Sequence, residues 1–308
     1  MLIALTSLKS SPGVSTLAVT LAQRWPQADL TRRIVAECDP AGGDLAMRFG
    51  LDPAPGLVSL AAAARRASGP AVVWEHTQLL PSGARAIVAP PGGAHARAAL
   101  HTLITAPDGP LLDATAAEPG VVVLADCGRA DPGSPAEAIA RQADALLLVS
   151  GARGEDLAHV ATRLSELARW TPRPGLLLSG QGYPTPEIER ELGVPVMGRI
   201  PHDPRAATHH GDTPGSAESG LPRFAAALAR ILAAPPPPTS TPRSGLPPSI
   251  PGVPDRRLRD PGRPLTGPPH TPPTPSPPPG TPAPCPPPWN AYGDQPRQPG
   301  DTGREVTP

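Results

Sequence analysis

Residues 9–16 read Lys-Ser-Ser-Pro-Gly-Val-Ser-Thr, and these residue types at this spacing can do phosphate chemistry. Holding a phosphate requires backbone N–H groups converging from a tight loop, a helix N-terminus behind them and a cation within reach. Gly13 can take the backbone geometry of such a loop, Ser15 can place a hydroxyl on Mg²⁺, and Lys9 stands at the loop's start. The strict Gly-x-x-x-x-Gly-Lys-Ser/Thr string is not met, because Val14 stands where the phosphate-binding lysine belongs. Two carboxylates complete the set. Asp39 follows the apolar run Arg33 to Cys38, and Asp126 ends the apolar run Val121 to Ala125. A carboxylate at the carboxyl end of a hydrophobic strand lies on the ligand-binding edge of an open parallel sheet.

Lys9 stands out for a second reason. Every other one of the 27 basic residues is arginine. A blanket arginine bias, together with abundant Ala, Pro and Gly, is most simply the coding bias of a GC-rich genome. A single retained lysine then marks a position where a compact ammonium is not replaceable by a planar guanidinium.

These residues need a scaffold of strands and helices in alternation. Leu2 to Ser7 predicts a buried strand, Lys9 to Gly13 a loop and Ser15 to Arg24 a helix. The second strand meets the turn-forming Asp39-Pro40-Ala41-Gly42-Gly43, and a short helix is predicted from Asp44 to Phe49. Further helices are predicted over Leu57 to Arg66, Ala94 to Thr105, Gly154 to Arg169, Pro186 to Leu192 and Leu221 to Ala233. His76 to Leu80 and Ala84 to Val88 read as an extended pair around Pro81-Ser82-Gly83. Val121 to Asp126, Ala145 to Val149, Gly175 to Ser179 and Val194 to Ile200 read as strands covered on both faces, because their apolarity is continuous. The pattern predicts an α/β fold of three layers with a mostly parallel sheet of seven or eight strands.

Composition divides the chain at residue 234. Of 50 prolines, 27 fall within 235–308, a segment with too few apolar residues to offset the entropy of ordering it. The expectation is one domain over 1–234 and a disordered Pro-rich tail over 235–308, sampling polyproline II conformations. The tail reads as a linker or terminus; the alternative is a docking strip anchored by Trp289 and Tyr292. Acidic and basic residues balance at 27 each, which argues against a strongly basic nucleic-acid binder. Cys38, Cys127 and Cys285 are far apart and lack metal or disulfide spacing, and the histidines, His209-His210 included, read as surface or loop residues. With no signal-peptide pattern and no stretch of about 18 apolar residues, a cytoplasmic protein without a transmembrane segment is expected.

The loop at 9–16 resembles a degraded form of the deviant Walker A motif, KGGxGK[ST]T, of the ParA/MinD family of P-loop ATPases. Lys9 falls on that family's signature lysine, Gly13 on its last loop glycine, Ser15 on its magnesium-binding hydroxyl and Thr16 on the threonine after it. Ser10, Ser11, Pro12 and Val14 depart from the motif or occupy its variable position. Glu37 to Leu45 is similar to the family's DxDPQGN switch region, and Asp126-Cys127-Gly128 to its Walker B-like end. Gly193 to Asp203 resembles a later conserved segment, so the similarity is collinear over roughly 1 to 233. The family's adenine-reading Asn has no equivalent, since Ser179-Gly180-Gln181 stands in its place.

The resemblance implies ATP and Mg²⁺ as cofactors. Ser10, Ser11, Gly13, Val14, Ser15 and Thr16 would form the nucleotide loop, Ser15, Asp39 and Asp126 the magnesium site, and Lys9 and Asp39 the catalytic pair. It also implies a nucleotide-dependent homodimer in which the signature lysine reaches the phosphates of the partner subunit. Two functions follow as expectations. One is a switch that dimerises around ATP, hydrolyses it slowly and positions a chromosome, septum or surface appendage. The other is a non-hydrolysing scaffold of the CpaE/TadZ kind that recruits a secretion or pilus ATPase or a segregation protein; Val14 favours it. The Arg32-Arg33 and Arg65-Arg66 pairs are candidates for weak contact with DNA or a membrane surface.

Overall fold

Leu2 to Ser7 forms strand β1, and every one of its residues is buried. Its side chains alternate between two apolar layers: Leu2 and Ala4 join one cluster, Ile3 and Leu5 the other. This is the period-2 geometry of a strand between two covering layers. The structure, a computed structural model, describes residues 1–9, 13–26, 30–67, 69–106, 109–203 and 220–234. Residues 235–308, Ser10 and Ser11 of the nucleotide loop and the His209-His210 pair lie outside these described residues.

Seven more strands complete a single sheet: β2 (Arg32–Glu37), β3 (Gln78–Leu79), β4 (Arg85–Ile87), β5 (Val121–Arg129), β6 (Ala145–Gly151), β7 (Pro174–Ser179) and β8 (Val196–Ile200). Their order is β3-β4-β2-β5-β1-β6-β7-β8. Every neighbouring pair is parallel except β3 and β4, the antiparallel edge hairpin that the Pro81-Ser82-Gly83 turn predicts. Pairing runs in one unbroken register from Arg32 opposite Val121 to Glu37 opposite Asp126. That register brings the ends of β2 and β5 side by side.

The described helices are α1 (Val14–Gln23), α2 (Leu45–Phe49), α3 (Leu57–Ala63), α4 (Pro70–Glu75), α5 (Gly93–Ile104), α6 (Leu111–Ala116), α7 (Pro135–Arg141), α8 (Gly154–Leu167), α9 (Thr185–Leu192) and α10 (Gly220–Ala233). On one face of the sheet, Leu17 and Leu21 of α1 pack with Leu45 of α2 and with Leu221, Leu228 and Leu232 of α10. On the other, Leu57 and Leu60 of α3, Leu100 and Leu103 of α5 and Ile139 of α7 cover the alternate residues of β1, β2 and β5. Burying each such side chain contributes about 1.5–3 kcal/mol, so both layers hold the central strands. Helices α4, α6 and α7 were not predicted from the sequence, and β5 runs three residues past Asp126 to Arg129. Among the described residues, no helix is long and apolar enough to cross a membrane.

The two arginine pairs differ in their surroundings. Arg33 is buried, 9% exposed, and donates to the Ala22 carbonyl at 2.9 Å, tying β2 to the last turn of α1. Arg32 pairs with Glu118 at 3.2 Å and lies over the Trp74 ring. Arg33 thus serves the fold, while the Arg32 side chain stays more than half exposed. Arg65 and Arg66 are exposed, as expected of a helix end.

Candidate functional site

The sheet reverses its direction of growth around β1, since β2 lies beyond β5 on one side and β6 adjoins β1 on the other. A crevice outside the strand ends at such a point is where open α/β sheets bind ligands. A cavity of about 590 Å³ lies there. Gly13, Val14, Ser15 and Thr16 line it, as do Asp39 and Asp126, three of them the magnesium set expected from the sequence. Residues from three separate segments of the chain thus meet in one place.

Gly13 ends the loop with φ +93°, a left-handed conformation that glycine takes at little cost, and it caps α1 without any side-chain hydrogen bond. The first intrahelical bond is Leu17 N–H to Gly13 C=O at 2.9 Å. The N–H groups of the turn before it have no helical acceptor, as at every helix start, and here they border the cavity. The N-terminal end of α1 carries no acidic residue in its first turn, so its partial positive charge is not offset locally.

Asp126 is 2% exposed. Burial pushes its carboxyl up to about 6, against the opposing effects of a hydrogen bond from the Ser15 hydroxyl and one from Gly128 N–H at 3.1 Å. A buried carboxylate with this shortage of positive partners is a site that a divalent cation would satisfy. Asp39 stands beside it. Its carboxylate occupies the space that a side chain on Gly128 would fill, and Gly128 has φ +53°. Burial raises the Asp39 carboxyl above the usual range, while Ala41 N–H, donating to Oδ1 at 2.7 Å, and the Arg129 charge pull it back. Ser15, Asp39 and Asp126 are the oxygen-donor set that Mg²⁺ prefers, with the rest of its shell left to water and phosphate. Among the described residues no three His, Cys, Asp or Glu side chains cluster as a metal cage.

Glu37 has a role that sequence reading did not find. It is 2% exposed, and its Oε1 accepts from Asp44 N–H at 2.7 Å and Leu45 N–H at 2.9 Å. Oε2 accepts from Ala89 N–H at 2.8 Å. One side chain thereby fixes the turn after β2, the start of α2 and the segment after β4. Burial pushes its carboxyl up to about 7, outweighing the three N–H donors. The room for it comes from Gly43, where a Cβ would overlap the Glu37 carboxylate.

The same turn is pinned from outside. Gly42 bridges to Pro91, and Gly43 N–H donates to Pro90 C=O at 3.1 Å. At Gly42 (φ +113°) a Cβ would stand 2.6 Å from Gly92 N and 2.8 Å from the Pro90 oxygen, both rigid backbone atoms. Gly42→Ala is expected to destabilise the protein by about 2–3 kcal/mol through left-handed strain and this overlap. A thermal melt checks it; an unchanged midpoint would show that the turn relaxes freely.

Lys9 is placed differently. It lines a neighbouring groove of about 430 Å³ with Leu8, Arg129, Asp131, His159 and Arg163, not the cavity at Gly13 to Thr16. The cations that do line the cavity are Arg48, Arg97 and Arg129, and sequence reading singled out none of them. Ser179, Gly180 and Gln181 are not among the residues that line it. Cys38 and Cys127 are buried free thiols in the strand ends.

No protein-family model and no curated protein matches the chain in sequence. Solved structures do match in fold. A ParA family ATPase from Chlorobium tepidum superposes with a TM-score of 0.60 at 16% identity, over 74% of this chain and 98% of that one. The cell division ATPase MinD of Pyrococcus furiosus gives 0.59 at 19% identity, over 75% and 97%. The septum site-determining protein MinD of Pyrococcus horikoshii, solved with Mg-ADP, gives 0.58 at 14% identity, over 75% and 95%. The chain has the fold of ParA/MinD-type P-loop ATPases. The superpositions span nearly the full length of those proteins.

Proposed function

We propose that this protein binds Mg-ATP in the 590 Å³ cavity, dimerises around it and acts as a slow switch that positions a cellular cargo. The observation that carries the reading is the convergence of Gly13, Ser15, Asp39 and Asp126 at the strand ends of a ParA/MinD-type sheet. That one relative of the same fold was solved with Mg-ADP supports the ligand class.

The work divides among the residues by chemistry. The N–H groups at the start of α1 would bind phosphate oxygens, with Gly13 allowing the close approach. Ser15 and Asp126 would hold Mg²⁺, and Asp39 would orient a water molecule or a magnesium-bound water beside them. Bound Mg²⁺ supplies charge neutralisation to the phosphates. Lys9, facing the adjoining groove, is free to serve the phosphates of a second subunit, the role its position in the motif implies. Hydrolysis would then release the two subunits from each other.

The second reading is a non-hydrolysing scaffold for a secretion, pilus or segregation partner. Val14 favours it, because this residue is 5% exposed, packs in the apolar layer and brings no charge of its own to the cavity it lines. Light scattering and turnover assays on the full chain separate the two. The switch reading expects Mg-ATP to convert monomer to dimer, with turnover that Lys9→Ala lowers. A dimer population indifferent to nucleotide, with no turnover, would select the scaffold.

A further inference from the structure

Val14 removes a positive charge from the phosphate site, and a triphosphate needs that charge from somewhere. Five carboxylates line the cavity, Glu37, Asp39, Asp44, Asp126 and Asp131, so an unaided tetra-anion would be repelled. The candidates to offset it are the three arginines. Arg129 is held by Asp131 at 2.8 Å and is more than half exposed. Arg97 spends its guanidinium on the Pro40 carbonyl at 3.2 Å, securing the turn after β2.

Arg48 differs from both. Among the described residues no carboxylate or carbonyl pairs with it, and its guanidinium rests over the Phe49 ring, 5.7 Å from the centroid. It stands one helical turn after Asp44 on α2, with Arg48 N–H donating to Asp44 C=O at 2.9 Å, and both side chains line the cavity. A guanidinium on a residue that lines the cavity, with no anionic hydrogen-bond partner among the described residues, is suited to bidentate contact with phosphate oxygens.

We propose that Arg48 is the phosphate-binding cation of this site, supplying from α2 the charge that Val14 does not supply from α1. This rests on the Mg-ATP reading above and adds to it a residue outside the loop motif. The guanidinium would approach from the side of the turn that Glu37 and Arg97 hold, which gives that rigid turn a purpose: it fixes the root of Arg48 relative to Ser15 and Asp126.

The test is calorimetric titration of Mg-ATP into the full-length wild type, Arg48→Ala, Arg48→Lys and the double variant Arg48→Ala/Val14→Lys. Arg48→Ala is expected to weaken binding about tenfold or more, the worth of one charge-assisted contact. Arg48→Lys should recover part of the loss. The double variant should recover most of it, since a lysine at position 14 returns the charge from the other side, and Val14→Lys should tighten binding more in the Arg48→Ala background than in the wild type; equal gains in the two backgrounds are what a purely structural role for Arg48 would give. Wild-type affinity in Arg48→Ala would overturn the proposal while leaving Mg-ATP binding intact. So would a loss that neither lysine variant repairs. A wild type that shows no saturable Mg-ATP binding would instead remove the nucleotide reading, and this proposal with it.

Discussion

Glu37→Ala is expected to lower the stability of the protein by about 3–5 kcal/mol, the range seen when one partner of a buried charged network is removed. Two effects oppose each other. Deleting the carboxylate relieves a group whose burial has already pushed its carboxyl up to about 7, which taken alone would stabilise. Against that, the N–H groups of Asp44, Leu45 and Ala89 lose their acceptor together, at about 1–3 kcal/mol for each unsatisfied buried donor. The second effect is larger because three donors depend on one side chain. Glu37→Gln keeps one acceptor oxygen but turns an NH₂ toward at least one of the donors, so it should fall between wild type and Glu37→Ala. Urea unfolding measures all three. A loss under about 1 kcal/mol for Glu37→Ala would mean that water replaces the carboxylate, and that the turn does not depend on it.

Val14→Lys is expected to raise Mg-ATP affinity by about tenfold or more while lowering stability. Val14 belongs to the apolar layer beneath α1 and also lines the cavity. A lysine there can lay its stem along the apolar contact and bring its ammonium to the phosphates. The gain is one charge-assisted interaction in a partly enclosed site, about 1.5–3 kcal/mol. The cost is the valine's burial, about 1.5 kcal/mol or more, and it appears in the unfolding midpoint, not in the nucleotide titration. The two measurements therefore move in opposite directions. Unchanged affinity in a folded Val14→Lys protein would show that the loop does not address the phosphates.

The central sheet was readable because continuous apolar runs have few other physical interpretations. β1 coincides with Leu2 to Ser7, and Ala145 to Val149 and Gly175 to Ser179 lie within β6 and β7. Helices α4, α6 and α7, each only six or seven residues long, are too short for a helical period to declare itself; α2 and α3 are no longer, but a turn-forming Asp-Pro-Ala-Gly-Gly before α2 and an alanine-rich run in α3 marked them. For α7 a local signal existed: Ser134 accepts from Glu137 N–H at 3.3 Å, with Pro135 in the first turn, a start pattern visible in Ser-Pro-Ala-Glu. The candidate site divides similarly. Gly13, Ser15, Asp39 and Asp126, which line one cavity, could be singled out as candidates because each sits at a strand end or loop where one residue type has one evident use. Glu37 and Arg48 were not given their roles, because those arise from contacts across the chain. Glu37 binds a backbone N–H 52 residues away at Ala89, and Arg48 lines the cavity only once Leu45 of α2 is buried in the apolar layer that includes α1. Spacing along the sequence does not report such distances.

The most direct measurement is the binding of ATP to the purified chain with and without Mg²⁺, made on wild type and on Asp126→Asn. The account expects saturable binding at one site per chain, dependent on Mg²⁺ and strongly weakened in Asp126→Asn. A folded wild type that fails to bind at millimolar Mg-ATP, or binds equally well after the metal is chelated, would contradict it.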